Sequence, residues 1–396
     1  MQDLNGFYKH SFIMNILFVT YDDPRDASFG STQRSNFIWK SLMKLGVVYT
    51  VCLFNDKRIY LDKYENHPIY HYIPEMTRKQ RMLEFPCKIM EYFCRIPLSP
   101  IHPSLKGVVK RVWPDVKFDV IVGRYIQGVA KYQLWRMGRT IVDIDDHPAE
   151  AFRTIRRPML NPLFRPIGDL LNKISIKYVF NRIEGGYISN AQQLSQCPNS
   201  VRWLPNIPQL PSNEYQPDCD DRPYLLTIGL MSYIPNFEGV DIFLTEVWPE
   251  VHKQFPQLTY KIGGKDAPQD CVDRWNATEG VEYVGFIDDL EDAYRHCLAT
   301  VAPIYKGAGT CIKVLESLAY GRACLSSPFG ARGLELKGRE GVYVFQSPKE
   351  LIDSIMLLQD KKLRKEIEQT APEIIQSQYS YERFEATLLS VIKGDK

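Results

Sequence analysis

A glycine-bearing loop that leads into a short helix is the stretch of this sequence best suited to chemistry. Residues 303–321, PIYKGAGTCIKVLESLAYG, follow an apolar run, LATVAP, that predicts a buried strand, and they pass through Gly307 and Gly309 into a helical pattern. Thr310 is a suitable N-cap for that helix, and Gly321 is a suitable stop. Free backbone N–H groups at a helix start attract phosphate, and glycines let a ligand come close. The stretch therefore predicts a phosphate-binding loop.

Two charged side chains of the same helix extend this prediction. Helical spacing places Lys313, Glu316 and Tyr320 on one face, opposite an apolar face that packs toward a core. Lys313 can meet anionic oxygens, and Glu316, one turn further on, can accept hydrogen bonds from ribose hydroxyls. Loop and helix together suit a nucleotide, although the spacing alone fits an ordinary strand-turn-helix unit equally well.

The composition is that of a globular protein with more than one domain. Apolar and charged fractions are 44% and 24%, and the chain has 396 residues. No window of about 18 apolar residues predicts a membrane-spanning helix. The first residues contain no signal-peptide core, and Met14 could be the true start, since the first strand pattern begins there. The nine cysteines are scattered and lack a C-x-x-C pair, which indicates reduced thiols in a cytoplasmic protein and argues against zinc.

The charges divide the chain into two different halves. Residues 1–206 hold 29 Lys and Arg against 18 Asp and Glu, a net charge of +11, and the remainder has a net charge of −9. The stretches 77–97, 101–113 and 153–166 interleave basic with apolar and aromatic residues. Such a surface suits the anionic face of a membrane, or it consists of solvated helix faces with buried aromatic residues. No recognised binding motif accompanies the charge, so we do not expect a nucleic-acid partner.

Strand and helix patterns alternate twice along the chain, which predicts an α/β protein with two doubly wound domains. The first alternation runs from NILFVT to SVRWLP in residues 14–206, after a tail of residues 1–13. Residues 207–222, rich in proline and polar groups, are predicted to be a linker. The second alternation fills residues 223–375. Two such domains imply a cleft between them, where ligand sites commonly form.

Five blocks of the second half carry a family resemblance. They are TIGLMSYIPNFEGVDIFLTEVWP, YKIGGKDAP, VEYVGFIDDLEDAY, GAGTCIKVLESLAYGRACLSS and PFGARGLE. In order and approximate spacing they resemble the group 1 (family 4) glycosyltransferases, and the G-x-G-T-x-x-K-x-L-E pattern is most similar to a branch of bacterial polysaccharide enzymes. The resemblance covers about residues 14–390.

The resemblance implies a GT-B fold, with two Rossmann-like domains facing across a cleft and residues 376–396 forming a helix that returns to the first domain. It implies sugar transfer from a nucleotide-sugar with retention of configuration and without a bound metal. A UDP- or GDP-linked sugar would be the co-substrate, and no cofactor is expected. The acceptor would be a glycan or a lipid-linked oligosaccharide of bacterial surface polysaccharide, handled at the cytoplasmic face of the cell membrane.

The same resemblance assigns site residues position by position. On the donor side it implies that Glu316 contacts the ribose and that a set of loop residues lies near the diphosphate and donor sugar: Gly307, Ala308, Gly309, Thr310, Ser232, Asn236 and Gly264. From across the cleft, His147 would meet the donor sugar, with Asp146 assisting it or binding an acceptor hydroxyl. Gly30, Ser31 and Arg34 would position the acceptor or the diphosphate.

The sequence also departs from the family pattern. Ala308 stands where the family has its first motif glutamate, and Met231 and Glu238 stand near the places of its usual arginine and lysine. Lys313 could supply the missing positive charge and act in catalysis. Loss of positive charge at a leaving group impairs catalysis more than it impairs binding. The alternative to an active enzyme is therefore a catalytically impaired nucleotide-sugar or glycan-binding protein.

Two other enzyme classes compete for the segment 143–148, DIDDHP. Asp143 and Asp145 form a D-x-D, which GT-A glycosyltransferases use to hold a metal, and TIVDIDD resembles a haloacid-dehalogenase nucleophile strand. Both alternatives leave residues 303–335 unexplained. His67 and His71 are four residues apart, but Pro68 lies between them, so we do not expect a helical metal site there.

Overall fold

The structure is a computed structural model, and it describes most of the chain. The described residues are 13–25, 30–53, 66–72, 82, 89, 93, 94, 96, 105–217, 222–307, 310–334, 336 and 340–394. Most of the basic stretch 77–97 lies outside them, as do residues 1–12 of the predicted tail and Ala308 and Gly309 of the predicted phosphate loop. Gly30 and Ser31 are described only as the first residues of a helix.

In the described part of the first half, seven strands form one sheet in which every neighbouring pair is parallel, in the order β3-β2-β1-β4-β5-β6-β7. The strands are β1 Met14–Thr20, β2 Gly46–Cys52, β3 Ile69–His71, β4 Val120–Arg124, β5 Thr140–Asp145, β6 Gly185–Ile188 and β7 Val201–Trp203. Alternate residues of β1 enter two separate apolar clusters, which shows that both faces of this sheet are covered.

The second half repeats the arrangement with six described strands, again all parallel, in the order β10-β9-β8-β11-β12-β13. They are β8 Tyr224–Ile228, β9 Thr259–Gly263, β10 Val281–Gly285, β11 Cys297–Ala302, β12 Cys324–Ser326 and β13 Val342–Val344. The strand order reverses between β8 and β11, and ligands of doubly wound sheets bind beyond the carboxyl ends of such a strand pair. The loops after β8 and β11 are therefore the natural place for a site.

Helices connect the strands in each half. Those of the first half are α1 Gly30–Met43, α2 Leu105–Val112, α3 Ile126–Tyr132, α4 Pro148–Ala151 and α5 Arg165–Phe180. Those of the second half are α6 Ile234–Glu246, α7 Trp248–Gln254, α8 Gln269–Asn276, α9 Leu290–His296, α10 Ile312–Ala319, α11 Pro348–Leu357, α12 Lys361–Gln378 and α13 Tyr381–Lys393. None of the helices in the described ranges is long and apolar enough to cross a bilayer.

The last helix packs against elements of the first sheet. The Tyr187 hydroxyl donates to the Leu388 carbonyl over 2.6 Å, and Arg139 donates to the Ile392 carbonyl over 2.5 Å. The Phe37 ring lies 5.5 Å from the Tyr381 ring, between centroids. The chain thus ends against the half in which it began.

The predicted strands agree with the observed ones at most positions, whereas helix boundaries differ. The helical pattern SNFIWKSLMKLG predicts a helix over residues 35–46, but α1 begins already at Gly30. The sequence also predicts one helix over residues 237–254, but α6 and α7 form there and are separated at Val247, whose φ and ψ of −121° and −51° interrupt the helical path just before Pro249. The pattern gave no indication of α8 or of β13.

Candidate functional site

The loop after β11 enters α10 at a residue other than the predicted cap. Cys311 is the N-cap, in an extended conformation, and its side chain makes no capping hydrogen bond. The prediction of Thr310 as the N-cap was wrong, because its hydroxyl oxygen instead accepts a hydrogen bond from Asn206 Nδ2 over 3.0 Å. The amino end of α10 therefore keeps backbone N–H groups that no side chain of its N-cap satisfies.

Helix α10 ends just before Gly321, as predicted. Gly321 has a φ of +66°, and its N–H and that of Arg322 donate to the carbonyls of Leu318 and Ser317. This is the bond pattern of a Schellman stop, which requires a left-handed residue at the glycine position. Tyr320 differs from its predicted place on the ligand face: it is buried, and its ring stacks on Tyr294 with centroids 4.1 Å apart.

Lys313 reaches from α10 to the loop after β8. Its ammonium donates to Asn236 Oδ1 over 3.0 Å, and Asn236 in turn donates to the Leu230 carbonyl over 2.7 Å. A Cβ on Gly229 would lie 2.7 Å from Lys313 Cε and Nζ, so the lysine stem crosses directly over the glycine backbone. Gly264, which follows β9, lies against the same backbone: a Cβ built on it would lie 1.7 Å from the Gly229 carbonyl oxygen. The structure thus brings Lys313, Asn236 and Gly264 together.

Glu316 lies one turn beyond Lys313 and is half-buried. Burial raises the pKa of its carboxyl to about 7, and the Lys313 charge and a backbone hydrogen bond from Gln209 offset only part of that rise. A carboxylate desolvated in this way gains from any ligand that donates hydrogen bonds to it.

The remaining residues near the predicted donor site differ in their exposure and in their partners. Ser232 is exposed, and Met231 is completely buried. Glu238 forms an ion pair with Lys306. Lys313 thus has an uncharged amide partner in Asn236, whereas the charge of Lys306 is balanced by a carboxylate.

On the side of the first sheet, His147 caps the short helix α4. Its Nδ1 accepts from the Ala149 N–H over 3.3 Å, and burial lowers its pKa, with the Gln196 backbone offsetting part of the shift. Only 4% of His147 is exposed, so its ring does not lie open to the cleft. Gln193 connects it to Asp146, because its Oε1 accepts from the His147 N–H over 2.7 Å and its Nε2 donates to Asp146.

In the first half, Arg34 of α1 and Arg124 at the end of β4 both bind the carboxylate of Asp143 in β5. Asp143 is fully buried and accepts from Arg34 Nε and Nη2 over 2.9 and 2.6 Å and from Arg124 Nη1 over 2.5 Å. Burial alone would raise the pKa of Asp143, but the charges and hydrogen bonds of Arg34 and Arg124 outweigh it and hold the pKa below its ordinary value. Both oxygens of Asp143 are engaged, so this arrangement does not suit a metal ligand of a D-x-D site.

The same hydrogen bonds hold Arg34 away from its predicted position at the acceptor or the diphosphate. It is 3% exposed, and its Nη1 donates to the Pro205 carbonyl and to Asn206 Oδ1 over 3.1 and 3.0 Å. The guanidinium therefore points into the protein, toward Asp143 and Asn206, rather than to a surface where an acceptor would contact it.

Among the described contacts, four join the two halves near the carboxyl ends of β11 and β12. In the loop after β11, Thr310 accepts from Asn206, and the Gly307 carbonyl accepts from the Thr154 hydroxyl over 3.2 Å. In the segment after β12, Arg332 lies 3.8 Å from Glu150. Gly333, with a φ of +74°, approaches Asn190 so closely that a Cβ would lie 2.6 Å from its Oδ1. Both segments therefore contact the first half.

Three residues of this arrangement, Asn206, Arg124 and Thr154, are not among the site residues that the sequence predicts. The sequence places Asn206 at the end of the first domain, and only its polar side chain in the apolar context WLPNIP distinguishes it. Arg124 is the last residue of β4 and Tyr125 follows it, and Tyr125 and Asp145 both adopt positive φ values, of 64° and 65°. Such backbone strain at strand ends is frequent at functional sites, but it has no signature in the sequence.

Comparison with known proteins agrees with this architecture. Residues 222–361 match the sequence model of the family described as "Glycosyl transferases group 1". No curated protein matches the chain. Among solved structures, sucrose-phosphate synthase from Thermosynechococcus elongatus is similar with a TM-score of 0.67 and 14% identity, over 96% of this chain and 98% of that one.

Two further structures show the same similarity. HepE from Anabaena, in complex with UDP, has a TM-score of 0.65 and 12% identity over 96% of this chain and 100% of its own. A glycosyltransferase from Rickettsia africae has a TM-score of 0.62 and 10% identity over 97% and 98%. At these identities the similarity establishes the fold, and the predicted GT-B architecture is confirmed.

Proposed function

We propose that this chain is a retaining, metal-independent glycosyltransferase that moves a sugar from a UDP- or GDP-linked donor to a glycan or lipid-linked acceptor of bacterial surface polysaccharide. The observation that carries the proposal is that Lys313, Asn236 and the amino end of α10, which lacks a side-chain cap, meet at the switch point between β8 and β11. The match of residues 222–361 to group 1 glycosyltransferases supports it, as does the UDP in the similar HepE structure.

The geometry fits departure of a nucleoside diphosphate. When the sugar leaves, negative charge grows on the phosphate, and it must be met by preorganised donors and cations. Lys313 supplies the cation, and the N–H groups at the start of α10 supply dipoles that need no reorganisation. The Glu316 carboxylate, one turn away, would accept hydrogen bonds from the ribose. Burial raises its pKa because the charged form is poorly solvated, and hydrogen bonds from the ribose hydroxyls would stabilise that charged form.

The first half would supply the acceptor side. His147 and Asp146 lie at the end of β5, and we place them near the donor sugar. Because His147 is nearly buried, that contact requires the groups that cover its ring to move when substrate binds. The alternative function, nucleotide-sugar binding without transfer, is favoured by Ala308 at the family's glutamate position.

Release of nucleoside diphosphate distinguishes these functions. Wild-type protein is incubated with UDP- and GDP-sugars in excess EDTA, with glycan and lipid-linked acceptors, and UDP or GDP is quantified. We expect acceptor-dependent release with retained configuration in the product. Glu316→Ala should bind the same nucleotide about tenfold or more weakly, since a charged hydrogen-bond partner is lost. Binding by calorimetry without any release would favour the alternative, and unchanged affinity in Glu316→Ala would remove Glu316 from the site.

An exposed apolar face on α5 and the turn before it suits the membrane part of the proposal. Six large apolar side chains there are between 45% and 81% exposed: Met159, Leu163, Phe164, Ile167, Leu170 and Ile174. Ile167, Leu170 and Ile174 recur at helical spacing and thus share one side of α5. Exposed Lys173 and Lys177 lie on the same helix. Apolar side chains bordered by lysines are complementary to an anionic lipid surface, and we propose that this face rests on the membrane that carries the acceptor.

Vesicle sedimentation tests the α5 apolar face. We expect wild-type protein to sediment with vesicles of phosphatidylglycerol and phosphatidylcholine and to remain in solution with phosphatidylcholine alone. The triple change Leu163→Ser, Leu170→Ser and Ile174→Ser should weaken binding at least a hundredfold, because each buried side chain contributes about 1.5–3 kcal/mol. The control is Met356→Ser with Leu357→Ser, which removes two equally exposed side chains from α11. Equal sedimentation of triple variant and control would contradict the assignment.

A further inference from the structure

The amide of Asn206 has a fixed orientation because of its two partners. Its Oδ1 accepts from Arg34 Nη1 over 3.0 Å, and its Nδ2 donates to Thr310 Oγ1 over 3.0 Å. A guanidinium has only donors, so it can face the oxygen of an amide but not its nitrogen. Asn206 must therefore present its N–H to Thr310.

Arg34 is itself held in one orientation. Two of its nitrogens donate to the buried Asp143 carboxylate, over 2.9 and 2.6 Å, and Nη1 also donates to the Pro205 carbonyl over 3.1 Å. Arg34, Asp143 and Asn206 are each no more than 6% exposed, so water does not compete for these bonds. Arg34 is thus the donor to both Asp143 and Asn206, and Asn206 is the donor to Thr310, so each of these bonds has only one possible direction.

This direction determines what Thr310 can do. A hydroxyl has one proton to donate, and an oxygen that accepts from an amide does not donate to that amide. The Thr310 proton is therefore directed to another acceptor. Thr310 directly precedes Cys311, the N-cap of α10, where backbone N–H groups are also free of a side-chain cap.

We propose that Arg34 and Asn206 are positioning residues for the donor site: they keep the Thr310 hydroxyl as a hydrogen-bond donor to a phosphate oxygen of the nucleoside diphosphate. The ligand's identity rests on the proposed function, whereas the direction of the bonds rests on the geometry alone. Arg34 and Asn206 belong to the first half and its connection, so the first half helps to bind the donor without touching it.

Two substitutions test whether Asn206 keeps the Thr310 hydroxyl as a donor to the ligand. In Asn206→Asp, the new carboxylate still accepts from Arg34 but has no proton to give, so the Thr310 hydroxyl donates to it and is lost to the ligand. Thr310→Val removes the hydroxyl outright. We expect each change to weaken binding of UDP or GDP, measured by calorimetry, about tenfold to a hundredfold. The double variant should bind no more weakly than either single variant, because both remove the same hydrogen bond.

Thr310→Ser keeps the hydroxyl, so its affinity for UDP or GDP should lie within a few-fold of wild type. If Thr310 acted only through the packing of its methyl group, Thr310→Ser would lose affinity as well. Wild-type affinity in Asn206→Asp or in Thr310→Val overturns the inference, and so do additive losses in the double variant. If Asn206→Asp does not fold, as judged by its thermal unfolding, the comparison of Thr310→Val with Thr310→Ser decides.

Inorganic pyrophosphate is titrated alongside, since it probes the anion site without a nucleoside. Pyrophosphate or nucleotide binding that depends on the Thr310 hydroxyl, without any sugar transfer, would support the inference and contradict the proposed activity. Failure of wild-type protein to bind pyrophosphate, UDP or GDP would overturn both.

Discussion

Lys313→Ala is expected to reduce turnover about a hundredfold to a thousandfold while the donor dissociation constant changes by tenfold or less. The reason is that charge on the leaving phosphate grows most in the transition state, so a cation placed there acts mainly on kcat. Removal of one preorganised donor to a developing anion has effects of about this size in other enzymes. Steady-state kinetics gives kcat, and calorimetry with the intact donor in the absence of acceptor gives affinity.

Two controls separate charge from packing. Lys313→Met keeps most of the stem that crosses Gly229 and removes only the charge, so its turnover should fall as far as that of Lys313→Ala. Lys306→Ala removes a lysine of the loop before α10 whose ammonium is paired with Glu238, and kcat should then change only a few-fold. Near-normal turnover of Lys313→Met would show that packing, and not charge, makes Lys313 useful, and would take its ammonium out of the mechanism.

The strands were the most predictable part of this fold. The apolar runs NILFVT, TIVDID and LATVAP each contain a buried parallel strand, because a strand covered on both faces is apolar at nearly every position. The role of Gly321 in ending α10 was equally predictable, since the left-handed turn there depends on local geometry alone. Local pattern is sufficient where the neighbours along the chain determine the conformation.

The errors concern side chains whose partners are distant in sequence. Thr310 looked like an N-cap from its neighbours, but its partner Asn206 is 104 residues away. Arg34 looked available for a ligand, yet its carboxylate partner, Asp143, is 109 residues away and buried. Tyr320 fell on the polar side by spacing, and its burial depends on stacking with Tyr294. None of these partners can be deduced from spacing, because only the folded chain brings them together.

Asp143→Asn is expected to produce the largest loss of stability. It removes the only carboxylate that the structure places within hydrogen-bond distance of both Arg34 and Arg124 in the described part of the chain, and it leaves two buried guanidinium groups without that counter-charge. Breaking a buried ion pair from one side costs about 3–5 kcal/mol, which in a domain of this size lowers the unfolding midpoint by ~10 °C. Asp169→Asn, which removes an exposed partner of Arg157, should cost less than about 1 kcal/mol.

The pH dependence of this loss identifies its cause. Since the pKa of Asp143 is held below its ordinary value, its ionised form contributes to stability throughout the range above about pH 4 and that contribution disappears only as the pH falls further, through the folded-state pKa. The unfolding midpoints of wild type and Asp143→Asn should therefore differ at neutral pH and converge in acid. A constant difference at every pH would mean that the substitution acts through shape instead of charge. Because Arg34 also orients Asn206, a folded Asp143→Asn protein at low temperature should bind UDP or GDP more weakly than wild type. Such a loss would connect the buried ion pair of the first half to the phosphate site proposed at α10.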